Sequence, residues 1–252
     1  MSKTSGKRDM QIVASKSWSS VEGQAREELA FCYRLAAKLG WTDLIYTHIS
    51  LQIPGTEYFL INQFGLLFEE ITPENLVKID LAGNVIAPVN ARINLAGYMI
   101  HGAIHGARPE ITCVIHTHSE AGMALSALEC GLLPLTQHAC RFYNRIAFHE
   151  YEGIVLSEDE RPRLLEDLGN KRVMILKNHG FLTAGRTIGE AFTLMFFLEK
   201  AAAAQLVAQS TYQPLKILSA EVAEHTAQQF GDDFRPAGQL EWEALKRNYH
   251  NI

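Results

Sequence analysis

"ITCVIHTHSEAGMALSALECG" (residues 111–131) opens as an apolar run, passes through two histidines one residue apart, and continues at helical spacing behind a serine. A short apolar run bounded by turn-forming residues reads as a buried strand, and Ser119 is placed to cap the helix that follows. Residues i and i+2 of a strand share a face, so His116 and His118 project side by side where the chain leaves the core. Two imidazoles so placed suit one divalent ion, and a third ligand must come from elsewhere. His179 is the best candidate: it follows another apolar strand, "VMILKN" (173–178), and precedes Gly180 at a second strand-end turn. Adjacent strand ends of an open α/β sheet commonly form the site crevice. Three histidines with an open fourth position describe a catalytic zinc site, and imidazole also suits manganese, iron, cobalt or nickel.

Working outward, "VEGQAREELAFCYRLAAKLG" (21–40) has helical spacing and stops at Gly40. "LIYTHISLQIPG" (44–55) and "YFLINQFG" (58–65) read as hairpin strands, and "LVKIDLAGNVIAP" (76–88) as two short strands around a turn. "NLAGYMIHGAIHGARPE" (94–110) is a helix ending near Arg108-Pro109, and "RIAFHEYEGIV" (145–155) is mostly extended. "SEDERPRLLEDLG" (157–169) is a helix with Ser157 and Glu160 at capping-box spacing. Residues 172–185 read as strand, turn, strand, and a long helix runs from Ile188 to about Ala208. The last forty residues alternate helical pieces with breakers such as "FGDDFRPAG" (230–238). Hairpins mixed with helix crossovers predict an α/β protein, a mixed sheet with helices on its faces.

The chain has 252 residues, 47% hydrophobic and 20% charged, which fits one domain over 21–252 behind a polar tail at 1–20. Cys32, Cys113, Cys130 and Cys140 are scattered without a CxxC pair, and the opening residues lack an apolar targeting core. Both features predict reduced thiols in a cytoplasmic protein. A net charge of −5 with no long basic run argues against nucleic acid as a partner. The apolar stretch 191–208 is interrupted by Glu199 and Lys200, as in a core or interface helix rather than a membrane span.

Other histidines compete for attention. His101 and His105 share a helix face at i, i+4 in a small-residue, apolar setting, where histidines often pack and hydrogen-bond. His48 in "YTHIS" and His149 in "FHEYEG" are lone histidines in extended segments.

Taken in order, "RPEITCVIHTHSEAGMALSALECGLLPL" (108–135), "FHEYEGIVLSEDE" (148–160) and "VMILKNHGFLTAGRTIGEAF" (173–192) resemble the class II aldolase/adducin family over residues 22–208. The resemblance implies a three-layer α/β/α sandwich around a mixed, largely antiparallel sheet. It also implies a homotetramer with sites at subunit junctions, and zinc, or manganese in some members, held by His116, His118 and His179. Familiar members cleave or epimerise sugar phosphates: the ion stabilises an enediolate, a glutamate moves the proton, and main-chain and hydroxyl groups hold the phosphate.

Several of those slots are altered. The glutamate position holds Gly97, the Ser-Ser before it is Leu95-Ala96, and the phosphate-loop asparagine is His48. The Thr-Gly turn is Phe64-Gly65, which leaves Asn62 and Gly65 as substrate-binding candidates. A tyrosine that a neighbouring subunit lends to the site falls near His138. His138, Glu120 and His48 are therefore the acid/base candidates; Glu120 also suits the positive end of its helix. The leading expectation is a metal-dependent lyase, aldol or decarboxylating, acting on a small unphosphorylated oxygenated acid or carbonyl compound. "NLAGYMIHGAIHGARPE" is closer to the adducin head, which makes a non-catalytic assembly module the second expectation. A sugar-phosphate aldolase with a surrogate base is the third.

Overall fold

The computed structural model describes residues 18–153, 158–231 and 237–249. The predicted tail, apart from Trp18 to Ser20, and the Ser157 cap lie outside those residues.

An eight-stranded sheet runs in the order β4-β3-β2-β1-β5-β8-β7-β6. The strands are β1 (His48–Gln52), β2 (Phe59–Ile61), β3 (Val77–Ile79), β4 (Val85–Ala87), β5 (Cys113–Thr117), β6 (Ile146–His149), β7 (Val173–Leu176) and β8 (Gly180–Gly185). Every neighbouring pair is antiparallel except β6 with β7, which is parallel. That pair is joined through α5 (Arg161–Leu168), the helical crossover that parallel strands need.

Side chains alternate between two apolar layers. Ile49, Leu51, Cys113, Ile115, Val173, Ile175 and Phe181 face α1 (Ser20–Lys38) and α6 (Ile188–Ser210). Val114, Met174, Leu176, Leu182 and Ala184 face α2 (Leu95–Ala107) and α5. With both faces covered, the central strands read as continuous apolar runs instead of alternating ones, as "ITCVI" and "VMIL" do. The result is the expected α/β/α sandwich. By length and composition α6 is apolar enough to cross a membrane; here it packs on the sheet with half of its apolar stretch buried.

The elements fall where expected, with shorter ends. α1 begins at a Ser19 cap whose hydroxyl accepts from the Glu22 amide at 3.1 Å. The helix after Ser119 is only α3 (Glu120–Ser126), and a short helix, α4 (Gln137–Cys140), replaces a segment given no structure from sequence. The last residues form α7 (Ala220–Gly231) and α8 (Gln239–Asn248). The largest departure is at 44–47, expected as strand. These residues are a loop in which Leu44 (φ 48°) and Thr47 (φ 63°) take left-handed backbone. A β-branched residue in that region is strained and is held there by its surroundings.

Candidate functional site

Register brings the histidines together. His48 opens β1 directly opposite His116 on β5, and His116 stands opposite Leu182 on β8. His118 lies just past the end of β5, and His179 lies in the turn between β7 and β8. All four thus gather at one end of the sheet. At Asn178 the chain takes left-handed backbone (φ 57°), which turns the next residue, His179, back toward β5. Gly180 is required beside it, because a Cβ there would run into the Thr117 carbonyl.

Potential ligand atoms of His116, His118 and His179 all lie within 4.8 Å of one another. Their polarity can be deduced. His116 Nδ1 is 2.9 Å from the Phe181 carbonyl, and His118 Nδ1 is 2.9 Å from the Asp43 carboxylate. Both partners only accept, so each Nδ1 carries the hydrogen and each Nε2 offers a lone pair. The two Nε2 atoms face each other at 2.9 Å. Two facing lone pairs repel unless a proton or a cation lies between them. Imidazole nitrogens held about 2.0–2.1 Å from one ion stand roughly 3 Å or slightly more apart. The donor set therefore fits a divalent metal, with Phe181 and Asp43 as the outer partners that fix tautomer and ring orientation. Burial, together with the neighbouring histidines, holds His116 far below the usual histidine range and brings His179 down to about 4. Both rings are thereby kept in the neutral form that metals bind.

The strand exit is braced from beneath. Ser119 caps α3 as expected, accepting from the Gly122 amide at 2.9 Å, and donates to the buried Glu199 carboxylate at 2.6–2.7 Å. Thr117 donates to the same carboxylate at 3.1 Å. Burial raises the Glu199 pKa.

His48 is buried beside His116, with ring centroids 5.3 Å apart. A Cβ on Gly97 would land on His48 Nε2. The glycine and the histidine are therefore one feature: the ring occupies the volume that any side chain at position 97 would need. Next to it, Thr47 Oγ1 is buried without a hydrogen-bond partner among the described residues. His101 and His105 spend the nitrogens that face β1 on one hydroxyl: both bind Ser50 Oγ, at 2.7 Å each. His149 is held between Asp167 and Glu160.

The remaining candidates are more dispersed. Glu120 is exposed at the first position of α3. His138, on α4, packs its ring on Phe197 of α6, with centroids 4.8 Å apart. Asn62 is buried with Oδ1 2.9 Å from the Tyr33 hydroxyl, a contact toward α1 rather than toward the triad. Gly65 sits at φ 100° in the turn after β2, where a side chain would be strained. The sequence carried no signal for Asp43, for the Phe181 carbonyl, or for Tyr151, whose ring lies 6.2 Å from His179. These contacts depend on which loops the sheet brings together.

Comparison with known proteins places this architecture. The sequence pattern of the Class II Aldolase and Adducin N-terminal domain matches residues 27–206. A crystal structure of an aldolase II superfamily protein from Pseudomonas syringae superposes with a TM-score of 0.88 at 46% identity, covering 92% of this chain and 94% of its own. An L-fuculose 1-phosphate aldolase from Glaciozyma antarctica superposes with a TM-score of 0.79 at 30% identity, over 93% of this chain and 94% of its own. Rat alpha-adducin is 40% identical over 188 residues, which is 73% of this chain but 25% of adducin. By fold, by sequence pattern and by these relatives, the chain belongs to the class II aldolase and adducin family.

Proposed function

We propose that this protein is a metal-dependent lyase that breaks a carbon–carbon bond in a small, unphosphorylated oxygenated acid or carbonyl compound. The observation that carries the reading is the convergence of His116, His118 and His179, with Nδ1 of the first two anchored on acceptors and their Nε2 atoms 2.9 Å apart. These residues would hold zinc, manganese or another divalent ion. A bound ion supplies Lewis acidity toward adjacent substrate oxygens and so stabilises the negative charge left when the bond breaks.

The chain's own groups do the rest. His48, buried one ring away from His116, is the favoured proton carrier, because its Nε2 occupies the Gly97 notch. Burial, with the adjacent histidines, brings its pKa down to about 3, which keeps the ring neutral and leaves one nitrogen free to accept a hydrogen bond. Thr47 Oγ1 offers an unused hydroxyl beside it. Glu120 and His138 are the secondary acid/base candidates, His138 in the junction of a homotetramer. Asn62 and Gly65, the substrate-binding candidates of the resemblance, follow β2, and Asn62 is engaged by the Tyr33 hydroxyl on the α1 side. The changed phosphate-loop positions favour an unphosphorylated substrate. A cytoplasmic location accords with the four free cysteines.

The test is metal content followed by turnover. Protein purified with added Zn²⁺ or Mn²⁺ should bind one ion per chain and release a smaller carbonyl product or CO₂ from a panel of hydroxy and oxo acids. Protein that binds no divalent ion and gains no activity from either would refute the proposal. A second reading, a non-catalytic assembly module, is favoured by the 40% identity to alpha-adducin and by Gly97. It predicts unchanged partner binding and no lost turnover when His116 and His179 are replaced by alanine.

A further inference from the structure

Between β1 and α2 lies a buried line of polar groups of which the proposed chemistry uses only the last member, His48. It starts at the Ile111 carbonyl, 3.1 Å from His105 Nδ1. His105 Nε2 is 2.7 Å from Ser50 Oγ, which is 2.7 Å from His101 Nδ1. His101 Nε2 is then 2.9 Å from His48 Nδ1. Ser50, His48, His101 and His105 are all buried. The line contains no carboxylate to balance a buried imidazolium, so all three rings are neutral, in accord with the lowering of the His101 and His105 pKa values by burial, to about 4 at His105.

A neutral imidazole has one N–H and one lone pair, and a serine has one hydrogen to give. Those limits leave a single arrangement. The Ile111 carbonyl can only accept, so His105 donates from Nδ1 and accepts at Nε2. Ser50 therefore donates to His105 and must accept from His101 Nδ1. His101 in turn accepts at Nε2 from His48 Nδ1. The end of the line is His48 Nε2, without a hydrogen, at the position that a Gly97 side chain would fill.

We propose that Ser50, His101 and His105 are positioning residues that carry hydrogen-bond direction from the Ile111 carbonyl to His48, holding it as the Nδ1–H tautomer with its Nε2 lone pair presented in the Gly97 notch. In that form His48 accepts a hydrogen bond from a substrate hydroxyl or a water and cannot donate one. The site thus selects a molecule with a hydroxyl beside its chelating oxygens, a hydroxy acid or hydroxycarbonyl, over its deoxy analogue. That consequence rests on the triad being the substrate's metal centre. The tautomer does not.

The experiment is long-range ¹H–¹⁵N NMR of the full chain, metal-free and labelled at its histidines, with His48 assigned by substitution. The wild type should show Nδ1 protonated and Nε2 unprotonated at His48. Ser50→Ala interrupts the line and should convert His48 to a mixture of tautomers, with turnover falling about tenfold or more as the fixed acceptor is lost. Ser50→Thr keeps the hydroxyl and should restore the single tautomer. A protonated Nε2 at His48 in the wild type overturns the proposal whether or not any variant folds. So does a wild-type tautomer that persists in Ser50→Ala. Zinc binding on the same wild-type samples separates the two readings: its absence would sink the metal centre and leave the tautomer result standing.

Discussion

Two histidine clusters lie on the same face of the sheet, and their difference lies in where their lone pairs go. In the inner cluster, His101 and His105 spend both ring nitrogens on partners inside the protein: His48, Ser50 and the Ile111 carbonyl. In the outer cluster, His116 and His118 spend only Nδ1, on Phe181 and Asp43, and turn their Nε2 atoms toward each other. Residue type and burial do not distinguish the clusters, since His101 and His116 are both buried. What separates a structural histidine from a candidate ligand is whether the fold consumes its second nitrogen. His48 stands at the border, with one nitrogen in the inner line and the other facing the notch.

That contrast can be broken at several points. The largest effect is expected from replacing His116 and His179 together with alanine. Bound metal should fall from one ion per chain to none, and turnover by on the order of a hundredfold or more, as metal analysis and a rate assay would show. If the double variant kept its ion, the outer cluster would not be the ligand set. Gly97→Ala should come next. Its methyl group needs the space of His48 Nε2, so the ring must move, costing roughly 1–3 kcal/mol in thermal unfolding while the metal stays bound. An unchanged melting temperature together with unchanged turnover would show that the notch is not occupied as described.

In the metal-free protein acid should act on both clusters, through His105 and His179 alike at about 4. His105 is about 4 in the fold against about 6.5 unfolded, so the unfolded chain takes up the proton first as pH falls. The stability of the metal-free protein should be full above about pH 6.5 and decline steadily toward pH 4. The decline should be on the order of 3 kcal/mol from His105 alone, read from urea unfolding across that window. A flat profile between pH 7 and 4.5 would contradict the neutral state of the buried histidines in both clusters. A smaller change is expected for Asp43→Ala, which removes the partner of His118: metal affinity should drop about 10- to 100-fold without loss of fold. The smallest belongs to Glu120→Gln on the exposed start of α3, whose stability should stay within about 0.5 kcal/mol.

Much of this arrangement could be read from sequence because it is local. The apolar run of β5 and the i, i+2 spacing of His116 and His118 place two rings on one face, and "LKNHG" announces a strand-end turn carrying the third. The alternation of helices and hairpins likewise predicted the layered sheet. What could not be read depends on packing between distant segments. Nothing near Asp43 suggests that its loop folds over His118, because the strained backbone at Leu44 and Thr47 replaces what reads as a strand. Gly97 alone reads as a missing carboxylate. Only the register of β1 against β5, and the seating of α2 above it, shows that the space belongs to His48. His101 and His105 showed the helical spacing of a ligand pair, but Ser50, contributed by a different strand, takes up both.

The central claim is that the outer cluster is a metal centre, and metal stoichiometry tests it most directly. Wild-type protein expressed with zinc and manganese supplied, then extensively dialysed, should retain one divalent ion per chain, and the His116→Ala/His179→Ala variant, folded by circular dichroism, should retain none. Wild-type protein without a stoichiometric ion, or a variant that holds the ion as tightly as the wild type, would contradict it.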